Sequence, residues 1–222
     1  MVKLASTLSS DEHNRAKRFH FERDRTRFIA GRGLLRTILA SYLAIDPLQI
    51  CFSYSPRGKP GIAAPVFTRP LYFNLAHSDG LALIAVTYSS PVGIDIEQIR
   101  VLSDLNNIAE RFYSRREIAA LQVLPAAERS ETFFTFWTRK EAWLKALGEG
   151  ISDSLNHMEV LLDEEERTAT IRLQQGSRLD TDWSLYDLAP AEGFKAALAA
   201  SGQNLQLFCA EWHDAIIRRK PA

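Results

Sequence analysis

Apolar residues recur at helical spacing in two long stretches of the chain and at strand spacing between and after them. Phe28, Leu35, Ile38, Leu39 and Tyr42 share one face of a helix that Asp46-Pro47 ends. Ile50, Phe52 and Tyr54 then alternate as a strand and run into Ser55-Pro56-Arg57-Gly58-Lys59-Pro60-Gly61, a turn rich in breakers and cations. Leu71 to His77 and Leu81 to Tyr88 flank Ser78-Asp79-Gly80, and Asp-Gly between two such runs signals a hairpin. Val92 to Ile99 follows Ser89-Ser90-Pro91, so three neighbouring strands with short turns predict one antiparallel sheet.

Asn106 to Tyr113 reads as a helix, and Ser114-Arg115-Arg116-Glu117 is a capping box opening another through Leu124, stopped by Pro125. From Glu128 to Leu147, the residues Phe133, Phe136, Trp137, Leu144 and Leu147 mark a long helix that Gly148 caps. Met158 to Leu162, Thr168 to Leu173, Trp183 to Leu188, Phe194 to Ala200 and Leu205 to Trp212 read as strands. A long helix followed by strands therefore occurs twice. This predicts an α+β fold of two lobes, residues 1–103 and 104–222, each a small antiparallel sheet packed with a long helix.

Composition narrows the class. A chain of 222 residues, 46% hydrophobic and 24% charged, can bury a sizeable core in one or two units. Lys plus Arg and Asp plus Glu both number 27, so no net charge draws it to nucleic acid or a membrane surface. Locally, Arg15, Lys17, Arg18, Arg23, Arg25, Arg27, Arg32 and Arg36 face only Glu22 and Asp24, and helical spacing assigns them to the outer face. No apolar run approaches the roughly 20 residues of a membrane helix, and Met1 to His13 lacks a secretory pattern. The expectation is a cytoplasmic protein. Cys51 and Cys209 are too few for a disulfide framework and read as reduced thiols.

Chemistry gathers in two segments. In Gly93-Ile94-Asp95-Ile96-Glu97, the strand period sends both carboxylates to one face and both isoleucines to the other. Like charges that close repel, and a bound cation relieves the cost; on this pair alone a solvated sheet face is the simpler reading. In Trp137-Thr138-Arg139-Lys140-Glu141-Ala142-Trp143-Leu144-Lys145, Glu141 and Lys145 share a helix face. Such a pair is common on surfaces, but here it lies among aromatic residues. Asp95, Glu97 and Glu141 suit magnesium, an oxygen-seeking ion that also takes substrate phosphates. The five histidines and two cysteines show no zinc spacing. His77, at a strand end beside a turn, can donate to a phosphate. The chain holds no GxGxxG, P-loop or GxSxG motif.

Read in order, Gly58-Lys59-Pro60, Phe73-Asn74-Leu75-Ala76-His77-Ser78, Val92-Gly93-Ile94-Asp95-Ile96-Glu97 and the Trp137 to Lys145 segment resemble the 4′-phosphopantetheinyl transferases of the surfactin-synthetase-activating type. The resemblance covers about Arg15 to Gly150. It implies a pseudo-dimeric monomer with the active site between its lobes, and transfer of phosphopantetheine from coenzyme A to a serine of an apo acyl or peptidyl carrier protein, releasing 3′,5′-ADP. By matching motif, Asp95, Glu97 and Glu141 are the implied magnesium ligands, with manganese as an alternative ion. Glu141 is the implied serine base and Lys145 the group that neutralises the pyrophosphate. His77 is the implied phosphate contact, Lys59 and Pro60 part of the adenine-nucleotide site, and Arg15 and Arg18 the 3′-phosphate contacts. Several family members have Ser where this chain has Ala76. Leu105, Ile108, Phe112 and Tyr113, beside Arg111, Arg115 and Arg116, form the expected carrier-docking patch, although by pattern the apolar four fit a core equally well.

Overall fold

Two helices of 22 residues each organise the chain. The structure is a computed structural model that describes residues 2–63, 69–150, 155–156, 158–163, 168–173, 179–180, 183–202, 205–213 and 216–220. Helices α1 (Val2–Ala5), α2 (Ser10–Ala16) and α3 (Glu22–Leu43) lead to a 3-10 turn over Pro47–Gln49. Strands β1 (Phe52–Tyr54) and β2 (Pro60–Ile62) pair, as do β3 (Tyr72–Ser78) and β4 (Leu81–Thr87), and β5 (Val92–Gln98) follows. Then come α4 (Leu105–Phe112), α5 (Arg115–Val123) and the second long helix, α6 (Ala126–Leu147). Strands β6 (Met158–Asp163), β7 (Thr168–Leu173) and β8 (Leu179–Asp180) form one antiparallel sheet. Strands β9 (Trp183–Leu188) and β10 (Phe194–Ser201) join β5 in the order β5-β10-β9, and β11 (Cys209–His213) pairs with β12 (Ile216–Lys220).

Each long helix ends in a left-handed residue, Ala44 at φ 53° and Gly148 at φ 76°. Helix α3 packs Leu35, Leu39 and Ala40 on Ile50, Leu71 and Phe73. Its outer face is less basic than helical spacing suggests, because Arg36 turns inward and is 2% exposed. Arg36 Nε donates to the buried Glu12 carboxylate at 2.6 Å, and Nη1 donates to the carbonyls of Pro47 and Ile50 at 2.7 and 3.0 Å. A guanidinium can be buried when its donors find charge and carbonyls together, which is the case here.

The expected three-stranded sheet of neighbouring strands does not form. Strands β3 and β4 make the predicted hairpin, with Asp79 and Gly80 both at positive φ. Strand β5 instead pairs along its length with β10, from Val92↔Ala200 to Gln98↔Phe194. Two side chains of β3 take the other edge of β5: Asn74 Oδ1 accepts from Ile94 N at 2.8 Å and Ser78 Oγ from Gln98 N at 3.1 Å. The predicted turn at Lys59-Pro60 contains the start of β2, and of the predicted strand at Leu205 to Trp212 only the part from Cys209 is extended ladder.

Helix α6 lies directly on β5. A β-carbon at Gly93 would stand 2.0 Å from the carbonyl oxygen of Ala142 and 2.3 Å from the amide nitrogen of Ala146, so only glycine permits the crossing. Ala142 on the helix and Ala197 and Ala199 on β10, all 0% exposed, keep the layer thin. The face of α6 that meets the sheet thus runs through Ala142, Trp143 and Ala146, while Leu147, one of the periodic residues that mark the helix, is exposed. Around the other end of α6, Tyr113 is buried and donates from its hydroxyl to the Phe133 carbonyl at 2.7 Å. Lys140 is buried beside it. Its Nζ pairs with Glu117 at 2.7 Å and donates to the carbonyls of Phe112, Leu155 and Met158.

Replacing Gly93 with Ala puts a methyl inside the van der Waals contact of helix backbone, which cannot move aside like a flexible side chain. Gly93→Ala is expected to destabilise the chain by about 3 kcal/mol or more, read as a lowered urea midpoint; a midpoint within error of wild type would refute the close crossing.

Candidate active site

The crossing of β5 and α6 brings four charged side chains together. Ile94 and Ile96 enter the core beneath β5, so Asp95 and Glu97 face the helix. Lys145 Nζ donates to Asp95 Oδ1 at 2.6 Å. The helical pair Glu141 and Lys145 is therefore not a plain surface pair, because the ammonium reaches across to the strand.

The crowding shifts the carboxyls. Burial pushes the Asp95 carboxyl up to about 7; Lys145 opposes that rise, and the charges of Glu141 and Glu97 add to it. Desolvation wins over the ion pair because Asp95 is 4% exposed. Burial also raises the Glu141 carboxyl, opposed by Lys145 and helped by Glu97. Asp95 Oδ2 and Glu141 Oε1 are buried with no hydrogen-bond partner. Two orphaned carboxylate oxygens beside a third carboxylate form a hard-oxygen donor set of the kind magnesium and manganese take. The carboxylates are not gathered around a common point: among the described residues no three His, Cys, Asp or Glu side chains stand at metal-binding spacing. Lys145 serves as counter-ion to Asp95. The chemistry of the donors fits a divalent ion; their present spacing is that of the ion pair.

Glu97 is held by a residue that pattern reasoning did not single out. Ser78 Oγ donates to Glu97 Oε2 at 3.1 Å while accepting from the Gln98 amide. Strand alternation carried the signal, since Asn74, Ala76 and Ser78 share the face of β3 turned to β5. Ala76 is 5% exposed in the core with Ile94, so this position faces packing. His77 points the other way and is exposed at the strand end.

Lys59 and Pro60 line an open cavity of about 580 Å³ together with Tyr54, Arg57, Tyr72 and Gly148. The Lys59 ammonium, however, is turned inward and donates to the carbonyls of Val92 and Ala146 at 3.2 and 2.8 Å, and burial lowers its pKa to about 8. Arg15 and Arg18 come together in a second hollow with Asp11 and Phe19, which shares no lining residue with the first. Arg32 spans the ground between them, pairing with Glu12 at 3.3 Å and donating to the Tyr54 hydroxyl at 3.0 Å.

The expected docking patch is partly core. Tyr113 is 2% exposed, and Leu105, Ile108 and Phe112 pack partly buried against the same cluster. Phe112 meets Trp137 edge to face and Tyr113 packs at a tilt on Phe133, which accounts for this. Arg115 and Arg116 are exposed, with Arg116 3.6 Å from Glu159.

Two family models match successive parts of the chain: the 4′-phosphopantetheinyl transferase N-terminal model over residues 1–89 and the 4′-phosphopantetheinyl transferase superfamily model over 91–199. The 4′-phosphopantetheinyl transferase HetI of Nostoc sp. is 45% identical over 90% of this chain and 81% of that protein. The chain belongs to the 4′-phosphopantetheinyl transferase superfamily. The transferase Sfp of Bacillus subtilis (strain 168) is 30% identical over 90% of this chain and 84% of its own length. With both models on one chain, this protein is of the Sfp type. A crystal structure of a holo-(acyl-carrier-protein) synthase from Bacillus anthracis in complex with CoA is similar at a TM-score of 0.40 and 21% identity, covering 51% of this chain and 96% of that one.

The raised Asp95 carboxyl sets a pH dependence for the metal-free protein. Between 3.8 and about 7, the unfolded chain ionises Asp95 while the folded chain keeps its proton. The folded state then binds more protons, so stability falls as pH rises through this window and levels above it. Asp95→Asn removes that contribution: the difference in unfolding free energy between variant and wild type should grow in the variant's favour from pH 4 to 7, measured by urea titration. A pH-independent difference would mean that Asp95 ionises normally.

Proposed function

We propose that this chain transfers the 4′-phosphopantetheine moiety of coenzyme A to a serine of an apo acyl or peptidyl carrier protein, releasing 3′,5′-ADP. The observation that carries the reading is the cluster of Asp95, Glu97, Glu141 and Lys145 at one helix-strand crossing, with orphaned carboxylate oxygens inside it. Family membership supplies the reaction class. The active site lies between lobes 1–103 and 104–222, at the crossing of β5 and α6.

In the reaction, the serine oxygen attacks the β-phosphate and the 3′,5′-ADP oxygen leaves. Displacement at phosphorus needs positioning and charge neutralisation more than covalent help. Glu141 takes the serine proton as general base. Lys145, 30% exposed at its side chain, neutralises charge on the leaving phosphate. Asp95, Glu97 and Glu141 would hold Mg2+, or Mn2+, which when bound supplies Lewis-acid polarisation of the phosphates. His77 contacts a phosphate from the exposed end of β3. The cavity at Lys59 and Pro60 takes the adenine nucleotide, and Arg15 and Arg18 take the 3′-phosphate.

Two free cysteines suit a reducing, cytoplasmic setting, and two family models on one chain suit action as a monomer. Mass spectrometry of an apo carrier mixed with coenzyme A, Mg2+ and the protein should show one added phosphopantetheine. Glu141→Gln should reduce that transfer by roughly 10²–10³-fold or more while the circular dichroism spectrum stays unchanged; retained transfer would remove Glu141 from the mechanism.

The carrier docks on the exposed cationic side of α4 and α5, at Arg115 and Arg116, with Phe112 and Ile108 as the partly buried apolar border. Charge reversal at both arginines should raise the KM for carrier by about tenfold, in line with lost electrostatic complementarity, and leave coenzyme A affinity intact. An unchanged KM for carrier would place docking elsewhere.

A further inference from the structure

Lys59 was expected at the nucleotide through its motif, yet its side chain is spent on the protein itself. The ammonium donates to Val92 O at 3.2 Å and to Ala146 O at 2.8 Å. These carbonyls belong to the residue before Gly93 and the residue after Lys145. They also flank the tightest point of the molecule, where a Gly93 β-carbon would strike Ala142 O, Ala146 N and Lys145 C. The stem of Lys59 lies beside Gly148 at the C-terminus of α6, 3.4 Å from where a Gly148 β-carbon would stand. A cation at that terminus faces the negative end of the helix dipole. One side chain therefore bridges the strand and the helix whose meeting brings Lys145 to 2.6 Å from Asp95.

We infer that Lys59 is a positioning residue, a clamp that fixes the C-terminal turn of α6 on β5 and so sets Lys145 against the acidic cluster. Lys59 also lines the cavity, together with Arg57, Pro60 and Gly61, while its ammonium is held by the two carbonyls. The inference rests on the phosphopantetheine-transfer reading for its kinetic consequence, but not for its structural one. A nucleotide contact and a clamp differ in what they predict. Losing a phosphate contact weakens binding of the nucleotide, whereas loosening the clamp moves a reacting group by a fraction of an ångström with the nucleotide still bound.

The test is Lys59→Met, which keeps the length of the stem and removes the donors. Three readouts are taken: kcat for carrier modification at saturating coenzyme A, Kd for 3′,5′-ADP by calorimetry, and hydrogen exchange of peptides covering 142–148 and 92–98 in the ligand-free protein. A clamp gives a fall in kcat of about 10²-fold, the scale of a small misplacement at a reacting centre, with Kd for 3′,5′-ADP near wild type and faster exchange in both peptides. Lys59→Gln, which keeps amide donors on a shorter stem, falls between wild type and Lys59→Met in exchange rate and serves where Met does not fold. A rise in Kd of roughly tenfold or more with kcat retained and exchange unchanged overturns the inference and returns Lys59 to the nucleotide. If wild type fails to modify any carrier, the transfer reading falls, while the exchange data still decide whether Lys59 clamps the crossing.

Discussion

Contact between α6 and β5 at Gly93 is the constraint on which the site depends. A helix normally stands off a sheet by the depth of its side chains, roughly 10 Å between axes and strands. Here the missing β-carbon lets helix backbone touch strand backbone, with 2.0 Å from the Gly93 β-carbon position to Ala142 O. Ala142, Ala146, Ala197 and Ala199 complete the thin layer. At that separation a lysine on the helix meets a strand aspartate without stretching, and a helix glutamate shares their field. Wider spacing would let water between the charges and dissolve the electrostatic coupling that distinguishes this site from a solvated surface.

The consequence is a site that opposes the stability of its own fold. Asp95 and Glu141 are desolvated at the crossing with Lys145 as their ammonium, and Glu97 adds a third carboxylate at its edge, where Arg100 pairs with it at 3.5 Å. Asp95 responds by holding its proton to about pH 7, in spite of an ion pair at 2.6 Å. Elsewhere the chain buries cations whose charge is met by one carboxylate and several carbonyls. Lys140 has Glu117 and three carbonyls, and Arg36 has Glu12 and two carbonyls. Those pairs fix α2, α5 and α6 in place, whereas the acids at the crossing outnumber the one ammonium between them, an excess that positive charge brought by a ligand would relieve.

Most of the elements were legible because their signals are local. Helical periodicity located both long helices, Asp-Gly located the hairpin, and Ser114 to Glu117 located the start of α5, whose capping box is present. Two-residue alternation placed Asp95 and Glu97 on one face. What escaped was non-local. That β5 would leave its sequence neighbours and pair with β10, about 100 residues on, has no signature in either strand. Arg36 looked like one more outer-face cation because nothing nearby in sequence announces Glu12 as its partner. Tyr113 looked like surface as easily as core, and only the arrival of Phe133 from α6 decided it. Lys59 illustrates the same limit within a motif: its identity was readable, and the direction of its side chain was set by carbonyls of two distant elements.

The joint between β3 and β5 explains how a hairpin of the first half can govern acids on a strand that pairs with the second. The edge of β5 facing β3 has its Ile94 and Gln98 amides satisfied by Asn74 and Ser78 side chains in place of a backbone ladder. Each such bond contributes about 1 kcal/mol net, so this joint is weaker than the continuous β5–β10 pairing beside it. It is also more specific, because Ser78 spends its acceptor on the Gln98 amide and its donor on the Glu97 carboxylate. The hydroxyl has no spare proton, so Glu97 keeps this hydrogen bond, which it holds beside a longer one from Arg100, only while the hairpin stays in register with β5. His77, adjacent on the same strand, moves with that register as a matter of covalent geometry. The register of the hairpin therefore bears on Glu97, whose charge in turn raises the Asp95 and Glu141 carboxyls.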